Sequence, residues 1–193
     1  MSAATNISNS DHDDHHDHHK ETFITKYIFS QDHKIIARQF LITGMFWAVI
    51  GALMSLVFRL QLGFPEESLA WLQPVLGKWI VVNEIGMGTL DPDFYYALVT
   101  MHGTILVFFV LTAGLSGTFS NLLIPLQIGA RDMASPLLNM LSYWFFFIAG
   151  AIMFASLFLS TGPFSGGWTA YPPLSALPQA SSGSGAGMTL WLM

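Results

Sequence analysis

An all-α membrane protein with three transmembrane helices is the fold class this sequence predicts, on three observations. Only 10% of the 193 residues are charged and 52% are hydrophobic, against about 25% charged in a soluble domain. The charges are segregated: ten lie between Asp11 and Arg38, six between Glu66 and Asp93, and only Arg59, Arg131 and Asp132 fall elsewhere. The stretches between them are apolar and long enough to cross about 30 Å of hydrocarbon at 1.5 Å per helical residue. An ordinary soluble enzyme, whose every surface segment needs water-facing groups, is excluded. So is a nucleic-acid binder, because the net charge is −5 and there is no basic stripe. With no cysteine, the chain offers no disulfide, no thiolate metal site and no thiol nucleophile.

In chain order, residues 1–35 form a polar tail whose DHDDHHDHHK run holds five of the seven histidines. A solvated, disordered tail is the expected state; metal binding is the lesser alternative, since nothing there fixes a coordination geometry. Asn6-Ile7-Ser8 fits a glycosylation acceptor by pattern, idle on the side of the membrane assigned below. The first span, 36–62, contains an uncharged run from Gln39 to Phe58, followed by an outer loop, 63–93. The second span, 94–128, is apolar from Tyr96 to Leu126, longer than one crossing, so it should tilt and protrude. A turn at 129–135 leads to the third span, 136–160, then to a Gly/Pro/Ser-rich outer loop, 161–187. Residues 188–193 read as the start of a fourth helix, so the chain reads as a fragment. Lys20, Lys26, Lys34 and Arg38 precede the first span and Arg131 lies in the turn, whereas the outer loops hold only Lys78. The N-terminus and the Arg131 turn should therefore face the cytoplasm.

Polar residues inside the spans carry the functional information, because an ionisable group in a membrane helix is costly. His102, ten residues after Pro92, is either bonded to a neighbouring helix or a ligand for a buried metal or heme. At 100° per residue its face continues through Phe109, Ala113, Ser116 and Ser120. Arg59 either snorkels to the nearer interface or grips a buried polar group together with His102, at a depth expected to be similar. Asp132 is either a cap or first-turn acid of the third helix or the mouth of a water file. Asn139, two turns up the third helix, and Asn121, near the end of the second, would line that file.

Five blocks carry a family resemblance: DHK (Asp32 to Lys34), Arg59, MHG (Met101 to Gly103), NLLIPLQIGARDMASPLLNMLSYW (Asn121 to Trp144) and GGWTAYPPLS (Gly166 to Ser175). Over about residues 30–178 the chain closely resembles subunit I of the heme–copper oxidases, of the aa-type cytochrome c oxidase kind. The resemblance implies a bundle of roughly a dozen transmembrane helices, of which three are present. It implies that His102 is an axial ligand of a low-spin heme A and that Arg59 holds the formyl group of that heme. By the same resemblance Trp168 bonds a propionate of the high-spin heme, and Asp132, Asn121 and Asn139 form the entrance of a D-type proton channel. The copper ligands, the second axial histidine and the high-spin heme ligand lie on later helices in the family, so no catalytic residue is expected here and this segment alone should not reduce oxygen. The implied partners are the remaining oxidase helices and other subunits, cytochrome c or a cytochrome c domain as electron donor, oxygen, and a bacterial inner membrane. Quinol-oxidising members place polar side chains where this chain has Ile50, Met54, Phe94 and Ala97, which favours the cytochrome c branch. A quinol oxidase of the same superfamily, and a truncated membrane scaffold without cofactor, are the alternatives.

Overall fold

A computed structural model describes residues 23–65, 67–177, 179–180 and 185–193. The histidine-rich run and Asn6 lie outside the described residues. Three helices are long and apolar enough to cross a membrane: α1 (His33–Gly63), α2 (Pro92–Ile128) and α3 (Pro136–Phe158). A short α4 (Ala186–Leu192) follows.

Local chemistry sets the helix ends. Asp32 caps α1, its carboxylate accepting the Lys34 N–H at 2.8 Å. Asp91 does the same for α2 through the Phe94 N–H at 3.1 Å, with Pro92 at the first helical position where no N–H is needed. At the other end of α2, Gly129 takes φ +69°, and Ala130 N–H closes onto the Pro125 carbonyl at 2.9 Å. Ser135 and Pro136 start α3, whose first turn contains no acid. Asp132 is therefore not the cap of the third helix, since Met133 and Ala134 separate it from the capping residue Ser135.

The winding of α2 departs from expectation. It is α-helical over Pro92–Thr104, π-wound over Ile105–Ser116 and α-helical again over Gly117–Ile128. Thr112 Oγ1 donates to the Val107 carbonyl, five residues back, at 2.8 Å. A π turn holds more residues than an α turn, so a 100° projection from His102 fails beyond Thr104. Ala113, Ser116 and Ser120 do not continue its face on that basis; the positions buried in this stretch are Ile105, Gly114, Thr118 and Asn121.

The α1 helix packs against both others. Its buried stripe runs at three- and four-residue spacing through His33, Ile36 with Ala37, Phe40, Thr43 with Gly44, Trp47 and Gly51. At Gly44 the backbones of α1 and α2 touch: a Cβ there would stand 2.9 Å from Gly114 Cα. Beside this contact, Trp47, Phe109 and Phe146 bring one ring from each helix together, with centroids 5.4 and 5.6 Å apart in succession. The segment between α1 and α2 holds a small antiparallel hairpin, Ile80–Val82 with Gly88–Leu90, pairing Ile80 with Leu90. It delivers Trp79 to stack on Phe94 at 4.4 Å, which seats the loop on the start of α2.

Candidate functional site

His102 is half-buried and held by α1. Its Nδ1–H donates to the Gly51 carbonyl at 2.8 Å, and the Phe58 ring meets the imidazole edge-on at 5.5 Å. Gly51 makes this approach work, because a Cβ there would stand 3.0 Å from Leu106 and 3.3 Å from Ile105 on α2. With Nδ1 engaged, the ring is fixed as the tautomer whose Nε2 lone pair is free to ligate. Arg59 is exposed and forms no hydrogen bond or ion pair among the described residues. It follows Phe58, a neighbour of His102, but lies eight residues beyond Gly51, about 12 Å along the axis at 1.5 Å per residue. The α1 helix ends only at Gly63, which leaves Arg59 a turn from that end.

Trp168 is brought to the same half of α2. Gly167, at φ +78°, turns the chain so that its N–H donates to Thr100 Oγ1 at 2.9 Å. The Trp168 ring then lies against Gly103, the neighbour of His102, and 5.7 Å from the Phe108 ring. It is 48% exposed.

At the opposite, basic end, Asp132 is joined to His33 of the DHK block. His33 is 3% exposed, and its Nδ1–H donates to Asp132 Oδ1 at 3.2 Å, with Asp32 Oδ1 at 3.8 Å. Asp132 keeps 41% of its side chain exposed and borders an open cavity of about 570 Å³ that Lys26, Lys34 and Arg131 also line. No direct hydrogen bond links Asp132, Asn139 and Asn121 among the described residues. Asn121 is buried, donates Nδ2–H to the Gly117 carbonyl at 2.7 Å, and leaves Oδ1 without a partner; Asn139 leaves its buried Nδ2 donor unpaired. An orphan acceptor and an orphan donor are what bridging water would satisfy.

A family model described as "Cytochrome C and Quinol oxidase polypeptide I" matches residues 35–193. The chain belongs to this oxidase polypeptide I family. It is similar to the "Alternative cytochrome c oxidase subunit 1" of Bradyrhizobium diazoefficiens, 38% identical over 87% of this chain and 25% of the relative. It is also similar to "Cytochrome c oxidase subunit 1" of Thermostichus vulcanus, 35% identical over 86% of this chain and 25% of the relative. The protein of the same description from Alkalihalophilus pseudofirmus is 38% identical over 81% of this chain and 22% of the relative. The chain thus spans about a quarter of the length of the curated relatives it matches.

Within an oxidase polypeptide I, the donor set around His102 fits a heme: a half-buried imidazole with one nitrogen fixed by a backbone carbonyl and the other unengaged, beside the α1 turn carrying Gly51, Ala52 and Ser55. Residues missed from sequence alone act through the backbone or across helices. The Gly51 carbonyl has no side-chain signature, and its pairing with His102 depends on the register of two antiparallel helices. His33 had a signal, its place beside Asp32 in the DHK block. On another side of the bundle, an apolar groove of about 710 Å³ lies between the hairpin loop and the three spans, lined by Ile50, Met54, Phe94, Trp71 and Trp79 among others.

Proposed function

We propose that this chain is the N-terminal part of the catalytic subunit of a bacterial terminal oxidase, in which electrons from cytochrome c pass through a low-spin heme A to a heme–copper centre that reduces oxygen to water, with proton pumping. The observation that carries this reading is the 2.8 Å bond from His102 Nδ1–H to the Gly51 carbonyl. A carbonyl-oriented imidazole in an apolar helix seam is built to present its other nitrogen to a metal. The heme, when bound, supplies reversible one-electron chemistry. The protein's own part is to fix the ring and tautomer of His102 through Gly51 and Phe58. Arg59, displaced along α1 from the ring, suits a substituent at the rim of a wide macrocycle, which fits the role of holding a formyl oxygen. Trp168 supplies an N–H for a carboxylate of the neighbouring high-spin heme.

Three of the four positions at which quinol-oxidising members are polar, Ile50, Met54 and Phe94, line the same apolar groove. A quinone headgroup needs hydrogen-bonding partners, and these side chains have none, which supports cytochrome c, or a cytochrome c domain, as donor. Asp132 and His33 form the proton-collecting mouth, followed by Asn139 and Asn121, with the N-terminus on the cytoplasmic side of a bacterial inner membrane. The rest of the heme sites and the copper site would come from further oxidase helices. The test is His102→Ala in the complete oxidase, read by its reduced-minus-oxidised optical spectrum. The low-spin heme bands should vanish; a normal low-spin spectrum in the variant overturns the reading.

A further inference from the structure

Thr43 on α1 and Tyr143 on α3 share a hydrogen bond of 3.0 Å in which either oxygen can donate. Both residues are 7% exposed. Tyr143 follows Asn139 by four residues, one turn further along the same helix face. Helical side chains lean toward the N-terminus of their helix, so the Tyr143 ring leans back toward the Asn139 turn. That turn carries the buried, unpaired Asn139 Nδ2 donor. The remaining surroundings are apolar: the Phe40 ring meets Tyr143 edge-on at 5.3 Å, and Ile36 packs in the same cluster. Phenylalanine and valine would fill such a seam without the cost of burying hydroxyls. As adhesion, an interhelical side-chain bond in a membrane returns little.

We propose that the Thr43–Tyr143 hydroxyl pair is a relay rung that carries protons inward past Asn139. The proposal rests on the proton-channel reading of Asp132, Asn139 and Asn121. Each hydroxyl has one proton and free acceptor lone pairs. A proton arriving on the first oxygen releases that oxygen's own proton to the second, and the second releases its own proton onward. One O–H bond forms and one breaks at each oxygen, so both hydroxyls end neutral. Rotation about the two C–O bonds then resets the pair. No redox partner or cofactor enters the step.

The experiment compares Thr43→Val, Thr43→Ser, Tyr143→Phe and Asp132→Asn in the complete oxidase, measuring proton uptake after rapid oxidation of the reduced enzyme together with the low-spin heme spectrum. Thr43→Val and Tyr143→Phe should slow uptake by about tenfold, less than the roughly hundredfold of a positioned proton donor because water substitutes in part. Thr43→Ser, which keeps the hydroxyl, should retain the parental rate, and the heme spectrum should not change in any of the four. A purely adhesive bond would lower thermal stability without slowing uptake. Parental uptake in Thr43→Val and Tyr143→Phe, with Asp132→Asn slow, overturns the relay and leaves the channel standing. Parental uptake in Asp132→Asn overturns the channel and the relay together. Should Tyr143→Phe fail to assemble, the Thr43 variants decide: equal rates for valine and serine overturn the proposal.

Discussion

The contact between Gly51 and His102 gives the most quantitative handle on the heme reading. In Gly51→Ala the new Cβ would stand 3.0 Å from Leu106 Cδ2 and 3.3 Å from Ile105 Cγ2. Ile105 is fully buried, so relief comes from α1 and α2 separating by a few tenths of an ångström. The 2.8 Å bond from His102 Nδ1–H to the Gly51 carbonyl then lengthens past its optimum, losing about 0.5–1 kcal/mol. That bond makes the imidazole more electron-rich and so favours the ferric over the ferrous state of a bound heme. At 59 mV per tenfold change for a one-electron couple, the loss, falling mainly on the ferric state, corresponds to a rise of at most roughly 20–40 mV in reduction potential. The substitution should otherwise be tolerated, since alanine is favoured over glycine in a helix interior by about 0.5–1 kcal/mol. The assay is a redox titration of the complete oxidase followed at the low-spin band. An unchanged or lowered potential refutes the reasoning. The His102→Ala spectrum then shows whether the fault lies with the hydrogen bond or with the ligand itself.

Arg59→Met should blue-shift the low-spin band and lower its potential, because a guanidinium bonded to a conjugated formyl withdraws electron density; an unchanged spectrum and potential would leave Arg59 a snorkelling side chain. Asp132→Asn keeps the shape but removes the charge that holds His33 at 3.2 Å, so the complete oxidase should assemble with both hemes and turn over slowly; full turnover with full pumping would remove Asp132 from the proton path. Gly150→Ala places a Cβ 2.6 Å from Trp47 Cζ2 and 3.0 Å from Phe109 Cε1, which should destabilise the bundle by about 1–3 kcal/mol. Its measure is the thermal midpoint of heme absorbance, and an unshifted midpoint would show that the three rings do not meet as described.

The three spans were legible because a bilayer imposes a length and a composition that few other folds share, and the three stretches of low charge density match them. The helix starts at Asp32, Asp91 and Pro136 follow from capping chemistry that is local in sequence. The π-wound stretch from Ile105 to Ser116 was not legible. It contains no proline and a single glycine, Gly114, whose close contact with Gly44 exists only once α1 is in place. The same limit applies to the site. His102, Asp132, Asn121 and Asn139 stand out as polar residues in or beside apolar runs. Gly51 as a hydrogen-bond acceptor emerges only from helix register, to which periodicity is blind; His33 stood in the DHK block, but its pairing with Asp132 depends on that register too. The hairpin between Ile80 and Leu90 was hidden because three-residue strands carry too short an alternation to read.

Along the bundle axis the chain separates two chemistries with one block of packing. The basic half holds His33, Asp132, Asn121, Asn139 and the Thr43–Tyr143 pair; the opposite half holds His102, Thr100, Arg59 and Trp168. Between them, Trp47, Phe109 and Phe146 close the seam with one ring from each helix, and Gly44 against Gly114 brings two backbones into contact. A proton moves only where donors and acceptors succeed one another, and an unsolvated charge in such a block is prohibitive. An electron needs no chain of polar groups and passes through packed side chains by tunnelling. On the proposed function, the same aromatic block would stop protons rising from the basic end towards His102 while leaving electron transfer in the other half unhindered. On the relay proposed above, a proton that has reached Tyr143 would leave this seam sideways, towards helices outside these three. That is the separation an enzyme needs if electron flow is to drive proton movement rather than short-circuit it.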